Sequence, residues 1–152
     1  MPPNHEIANF DAANPDFGLA HHLMPDNPAA STSAGAFRTT TLRNVDKRPH
    51  RYFVKAYMHN GYFKSLEEVV HFYNTARVKL DPVRCPPGTP SWKAMARNCW
   101  PVAEVNNGRL SSAPTPNLFG DLGLTAAEEA ALVAFLRTLT DKETVTAPRP
   151  FR

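Results

Sequence analysis

The chain of 152 residues contains no C-x-x-C-H. That motif provides two thioether bonds and a histidine ligand to a covalently attached haem, so the only two cysteines, Cys85 and Cys99, cannot hold one by that route. Long apolar runs are missing too, and no stretch approaches the ~20 apolar residues that a membrane-spanning helix requires. At the amino terminus, Met1-Pro2-Pro3-Asn4-His5-Glu6 has neither the basic start nor the apolar segment of an export signal. No nucleophile elbow appears among the serines, which argues against a hydrolase triad. His21 and His22 are adjacent and have no Cys, Asp or Glu at ligand spacing, so they do not read as a metal site.

What is abundant is proline. Fifteen prolines and a mean hydropathy of -0.40 predict one small, loop-rich domain that still buries a core. The formal charge is only +3, but Arg38, Arg43, Lys47, Arg48, Arg51 and Lys55 crowd together with Asp46 alone opposing them. Such a cluster suits a carboxylate or phosphate partner. No nucleic-acid motif accompanies it, which places nucleic acid last among the partners.

Residues 1–35 are rich in Asn, Pro, Ala and Ser without periodicity and predict an extended arm. The threonines between Phe37 and Val45 allow a short extended piece, ended by Lys47-Arg48-Pro49, and a loop should run from there to Tyr57. His59-Asn60-Gly61 predicts a turn in which Asn60 or Gly61 takes positive φ. Ser65-Leu66-Glu67-Glu68 then reads as a capping box that opens a helix. Its apolar spacing puts Leu66, Val69, Val70 and Tyr73 on the buried face. Beyond Arg77 lies a proline-rich excursion too irregular for a continuous helix. Thr125-Ala126-Ala127-Glu128 is a second capping box, and its helix should run to about Leu139 with Leu132, Phe135, Leu136 and Leu139 inward. From Lys142 to Arg152 a polar tail, prone to fraying, is expected.

Three motifs carry a family resemblance. Gly35 to Asn74, GAFRTTTLRNVDKRPHRYFVKAYMHNGYFKSLEEVVHFYN, is similar to the FRTPTLRNV and YxHNGxFxSLEEVVxFYN blocks of the carboxyl-terminal haem domain in bacterial di-haem cytochrome c peroxidases and their methylamine-utilisation-type relatives. NPDFGLAHHL (Asn14 to Leu23) resembles the segment ahead of the first block, and LGLTAAEEAALVAFLRTLTD (Leu122 to Asp141) the closing helix. The resemblance covers roughly residues 10 to 141. It implies a mainly α fold, a partial cytochrome c-like domain over 36–141 with two well-marked helices, and a chain that is the carboxyl-terminal part of a longer, periplasmic protein. Thr40 stands where proline is usual, and the Arg48 to Tyr57 segment is longer than in the plain peroxidases, which favours the less characterised branch.

By residue type alone, Tyr73 reads as a core aromatic with its hydroxyl bonded to a neighbour. The resemblance implies instead a distal ligand of haem iron, at the position where the peroxidases carry methionine. A tyrosinate ligand favours oxidised iron and lowers the reduction potential. Met58 is the competing thioether ligand, with packing as its ordinary role. His59 would bond a propionate or a water beside the haem, or simply stabilise its turn. Arg43 would pair a propionate through its planar fork, or remain solvated. Cys85 and Cys99 would close a loop worth roughly 3 kcal/mol as a disulfide, the reading that an oxidising compartment favours; free buried thiols are the alternative. The subfamily's recurring Cys-Trp-Pro, here Cys99-Trp100-Pro101, supports the pairing.

The function implied is that of a haem c oxidoreductase that reduces hydrogen peroxide in the intact protein. Its partners would be an upstream haem domain or separate chain and a small redox electron donor. Whether this chain is itself an enzyme is left open, and it should be inactive alone. The alternative is a haem-free binding or structural module derived from the same scaffold.

Overall fold

The structure, a computed structural model, describes residues 27, 28, 37, 40–50, 52–102 and 120–141. Apart from 27 and 28, the expected arm over 1–35 lies outside these residues, as do the His21-His22 pair and the tail from 142. Among the described residues the fold is mainly α, with helices α1 (Leu66–Thr75), α2 (Ser91–Arg97) and α3 (Ala126–Thr138). Two isolated bridges, antiparallel between Tyr57 and Phe63 and parallel between Leu80 and Trp100, are the described β-type pairings.

Helix α2 falls inside the proline-rich excursion, which the sequence reads as too irregular for a continuous helix. It spans 7 residues, too few for apolar periodicity to register. Pro90 occupies its N-cap, and it ends at Asn98, whose left-handed φ of 55° lets the Asn98 N–H reach Ala94 and Met95 carbonyls. Arg84 and Arg97 close this end reciprocally, each guanidinium donating to the other's carbonyl at 2.6 and 3.0 Å. Cys85 and Cys99 are joined in a disulfide across the excursion, 14 residues apart.

The cap of α1 is half of the box read from sequence. Ser65 Oγ accepts from the Glu68 N–H at 3.2 Å. The Glu68 carboxylate, however, accepts from the Lys64 N–H at 2.9 Å and from Ser91 Oγ at 2.7 Å. This buried carboxylate therefore ties the start of α2 to the first turn of α1. The box at α3 is complete, with Thr125 and Glu128 each bonding the other's backbone N–H.

The core gathers Phe63, Leu66, Val70, Ala94, Trp100, Val133 and Leu136 around the disulfide. Trp100 is fully enclosed and donates its Nε1–H to Thr75 Oγ1 at 2.9 Å, satisfying the one polar group of its indole. The faces that apolar spacing predicts are met in part: Leu66, Val70 and Leu136 are buried and Val69 and Leu139 pack against the core, while three positions depart. On α1, Leu66, Val70, Asn74 and Thr75 are buried, while Tyr73 is 42% exposed. On α3, Val133 and Leu136 are buried, while Leu132 and Phe135 face outward at 39% and 56% exposure. A polar pairing lies beside the apolar contacts: Asn74 and His71 on α1 both bond Glu129 on α3.

Candidate functional site

Tyr73 lies in the last turn of α1 and is 42% exposed. Its carbonyl is fixed from the far end of the fold. Gly120 N–H donates to it at 2.6 Å, and Leu122 N–H donates to the Asn74 carbonyl at 3.1 Å. The Asn74 side chain repeats the pairing, accepting from Leu124 N–H and donating to Leu124 O, each at 2.9 Å. The last turn of α1 is thus bound to the 120–124 segment on both backbone and side chain. Phe72 meets the Tyr73 ring edge-on, 6.4 Å between centroids.

Met58 and His59 lie in the loop closed by the Tyr57 and Phe63 bridge. The sequence predicts positive φ at Asn60 or Gly61; the structure has it at Gly61 and at Met58, whose φ is 67°. A bulky residue rarely adopts this conformation. Asn60 instead uses its side-chain oxygen to accept from the Tyr62 N–H at 3.1 Å, an Asx-type turn. Met58 is 40% exposed. The His59 ring stacks on Phe37 with centroids 3.6 Å apart and planes 14° from parallel.

Arg43 is exposed, in a turn over 43–46 rather than the extended piece expected there. Its neighbour Asn44 explains the turn. Asn44 adopts φ 59°, donates its N–H to the Leu139 carbonyl at 2.9 Å, and exchanges side-chain bonds of 2.8 and 2.7 Å with Asp141. The Leu-Arg-Asn sequence is therefore a clasp onto the end of α3, and it leaves the Arg43 guanidinium on the surface. Asp46 takes up part of the basic cluster, accepting from Tyr57 Oη at 2.8 Å and pairing with Arg48 at 3.2 Å. Arg38 and Arg51 lie outside the described residues.

The four expected cofactor contacts occupy three segments: the 43–46 turn, the 57–63 loop and α1. A second group went unread in the sequence. His71 Nδ1 lies 3.0 and 3.1 Å from the two oxygens of Glu129, and Asn74 Nδ2 donates to the same carboxylate at 2.5 Å. The His71 ring lies 5.8 Å from that of Trp100. Its only sequence signal is that His71 and Asn74, three residues apart, share a helix face. No cluster of three or more His, Cys, Asp or Glu side chains suited to a metal occurs among the described residues.

The chain has distant homologues in a methylamine utilization protein and two cytochrome-c peroxidases. It is 34% identical over 143 residues to the methylamine utilization protein MauG of Paracoccus denitrificans, covering 90% of this chain and 30% of that protein. It is 42% identical over 65 residues to cytochrome-c peroxidase IdrP1 of Pseudomonas sp. (strain SCT), 43% of this chain and 14% of the relative. For cytochrome-c peroxidase IdrP2 of the same strain, identity is 31% over 134 residues, 88% and 24% of the two chains. The chain thus spans less than a third of the length of each of these relatives. No family model and no solved structure matches.

Proposed function

We propose that this chain is the carboxyl-terminal part of a periplasmic, di-haem cytochrome c peroxidase-like oxidoreductase, with residues 36–141 forming part of a cytochrome c-like haem domain. The observation that carries the reading is Tyr73: a partly exposed tyrosine in the last turn of a helix whose end is bound at backbone and side chain, in a chain homologous to MauG over nearly its whole length. A phenol so placed fits a haem-iron ligand supplied by a rigid element. Arg43 and His59 are likewise exposed and suit propionate pairing, and Met58 is the competing ligand. Without C-x-x-C-H, covalent attachment and the proximal histidine have to come from the remainder of the protein or from a partner chain.

Bound haem would supply the electron transfer, through which peroxide takes up two electrons and two protons to yield two waters. The residues of this chain would hold and electrostatically tune that group. A small redox protein is the expected donor.

A second reading, a haem-free structural module, is favoured by a core in which Trp100, Leu66 and the Cys85–Cys99 disulfide are fully buried. Titration of the purified chain with haemin, beside Tyr73→Phe, separates the two. A saturable Soret shift that needs Tyr73 supports the first reading. A folded chain that binds no haemin supports the second.

A further inference from the structure

A helix end leaves its last carbonyls without partners inside the helix. At the end of α1 none is left open: the carbonyls of Phe72, Tyr73, Asn74 and Thr75 accept from the N–H groups of Ala76, Gly120, Leu122 and Lys79. Asn74 adds a side-chain attachment to the same turn. Its oxygen accepts from Leu124 N–H, while its nitrogen donates to the Leu124 carbonyl and to the Glu129 carboxylate in the first turn of α3. Glu129 is itself held on the other side, with His71 Nδ1 3.0 Å away. Asn74 is buried, so each of these bonds, once lost, leaves a desolvated polar group behind. Asparagine is also a poor helix former. An apolar side chain would fill this position without either cost, which points to a role for the amide beyond packing.

We infer that Asn74 is a positioning residue for Tyr73, fastening the turn that carries the phenol to the 120–124 segment and to α3 at once. The inference deepens the haem reading of Tyr73 and rests on it. Two features select Asn74. It directly follows Tyr73 in the chain, so a shift of its backbone moves the Tyr73 backbone with it. Ties from two separate elements also converge on its amide. Residues that orient an iron or metal ligand from behind in this way commonly set affinity by about tenfold or more.

Haemin titration and resonance Raman spectra of the full chain, beside Asn74→Asp, provide the test. The aspartate keeps an acceptor for Leu124 N–H but loses both donor bonds and faces the Glu129 carboxylate. Haemin affinity should fall about tenfold or more, and the tyrosinate ligand modes should shift or weaken at a temperature where circular dichroism shows the helices intact. Adding Glu129→Gln returns a donor opposite the new carboxylate at unchanged net charge for the pair, and should restore most of both signals. Asn74→Ser, whose shorter side chain carries a single donor, should show the same losses should Asn74→Asp fail to fold. Tyrosinate modes and affinity that the folded Asn74 variants share with the parent would overturn the inference and leave the haem reading standing. Losses that the paired substitution does not recover would assign them to general damage of the fold and overturn it equally. A parent chain without tyrosinate modes would remove the haem reading of Tyr73 and the inference with it.

Discussion

Gly120 sits where the closing segment meets the end of α1, with φ +77° and no room for a side chain: an added Cβ would lie 2.6 Å from the Arg77 nitrogen. That nitrogen and Val78 N–H both donate to the Gly120 carbonyl. Gly120→Ala is accordingly expected to cost about 2 kcal/mol or more, through strain at positive φ and the loss of these bonds. Urea denaturation reads it, and an unchanged midpoint would contradict the junction described. Asp46 and Tyr57 make a second test at this scale. Burial pushes the Asp46 carboxyl up, but the Tyr57 hydroxyl and the Arg48 and Arg137 guanidiniums outweigh it and hold the group below its ordinary 3.8. Stability from this depressed carboxyl is full above that value and is lost as pH falls through the lower, folded one. Burial and the bond to Asp46 push Tyr57 up to about 12 from 10.0. For this raised group the contribution is full below 10.0 and is lost as pH rises toward 12. Thermal melts of Tyr57→Phe across both limbs should show a shallower loss at each end; curves parallel to the parent's would count against the pairing.

At the scale of elements, the ends of α1 and α3 were legible because capping is local: Ser65 and Thr125 each accept from the N–H three residues on. The helix faces were legible in part. Apolar spacing placed Leu66, Val70 and Leu136 correctly in the core, but it also assigned Tyr73, Leu132 and Phe135 inward, and these are 42%, 39% and 56% exposed, while His71 and Asn74 bond Glu129 between the helices. A hydrogen-bonded polar cluster carries no apolar period to read. Helix α2 leaves no apolar period in the sequence because it has fewer than two turns and starts from Pro90. Thr125→Ala should destabilise by about 1 kcal/mol. Glu129→Ala should cost more, about 2 kcal/mol, since it strips an acceptor from the buried Asn74 and the half-buried His71 side chains. A smaller effect for Glu129→Ala than for Thr125→Ala would indicate that the apolar contacts of Val133 and Leu136 alone hold α3 in place.

Across the molecule, the disulfide and the clasps at Asn44 and Gly120 join segments far apart in sequence. Reducing Cys85–Cys99 should cost roughly 3 kcal/mol by loop-closure arithmetic, seen as a lower melting temperature in reductant. The pairing was legible from two cysteines flanking a proline-rich loop. The roles of Asn44 and Gly120 were not, since their partners, Asp141 and the end of α1, are remote in the chain. For the candidate site, motif wording named Tyr73, and only the fold reveals that it is 42% exposed. The most direct measurement is the resonance Raman spectrum of the haemin-loaded chain beside Tyr73→Phe. Tyrosinate ligand modes present in the parent and absent from the variant are expected; identical spectra from the two would contradict the assignment of Tyr73 to the iron.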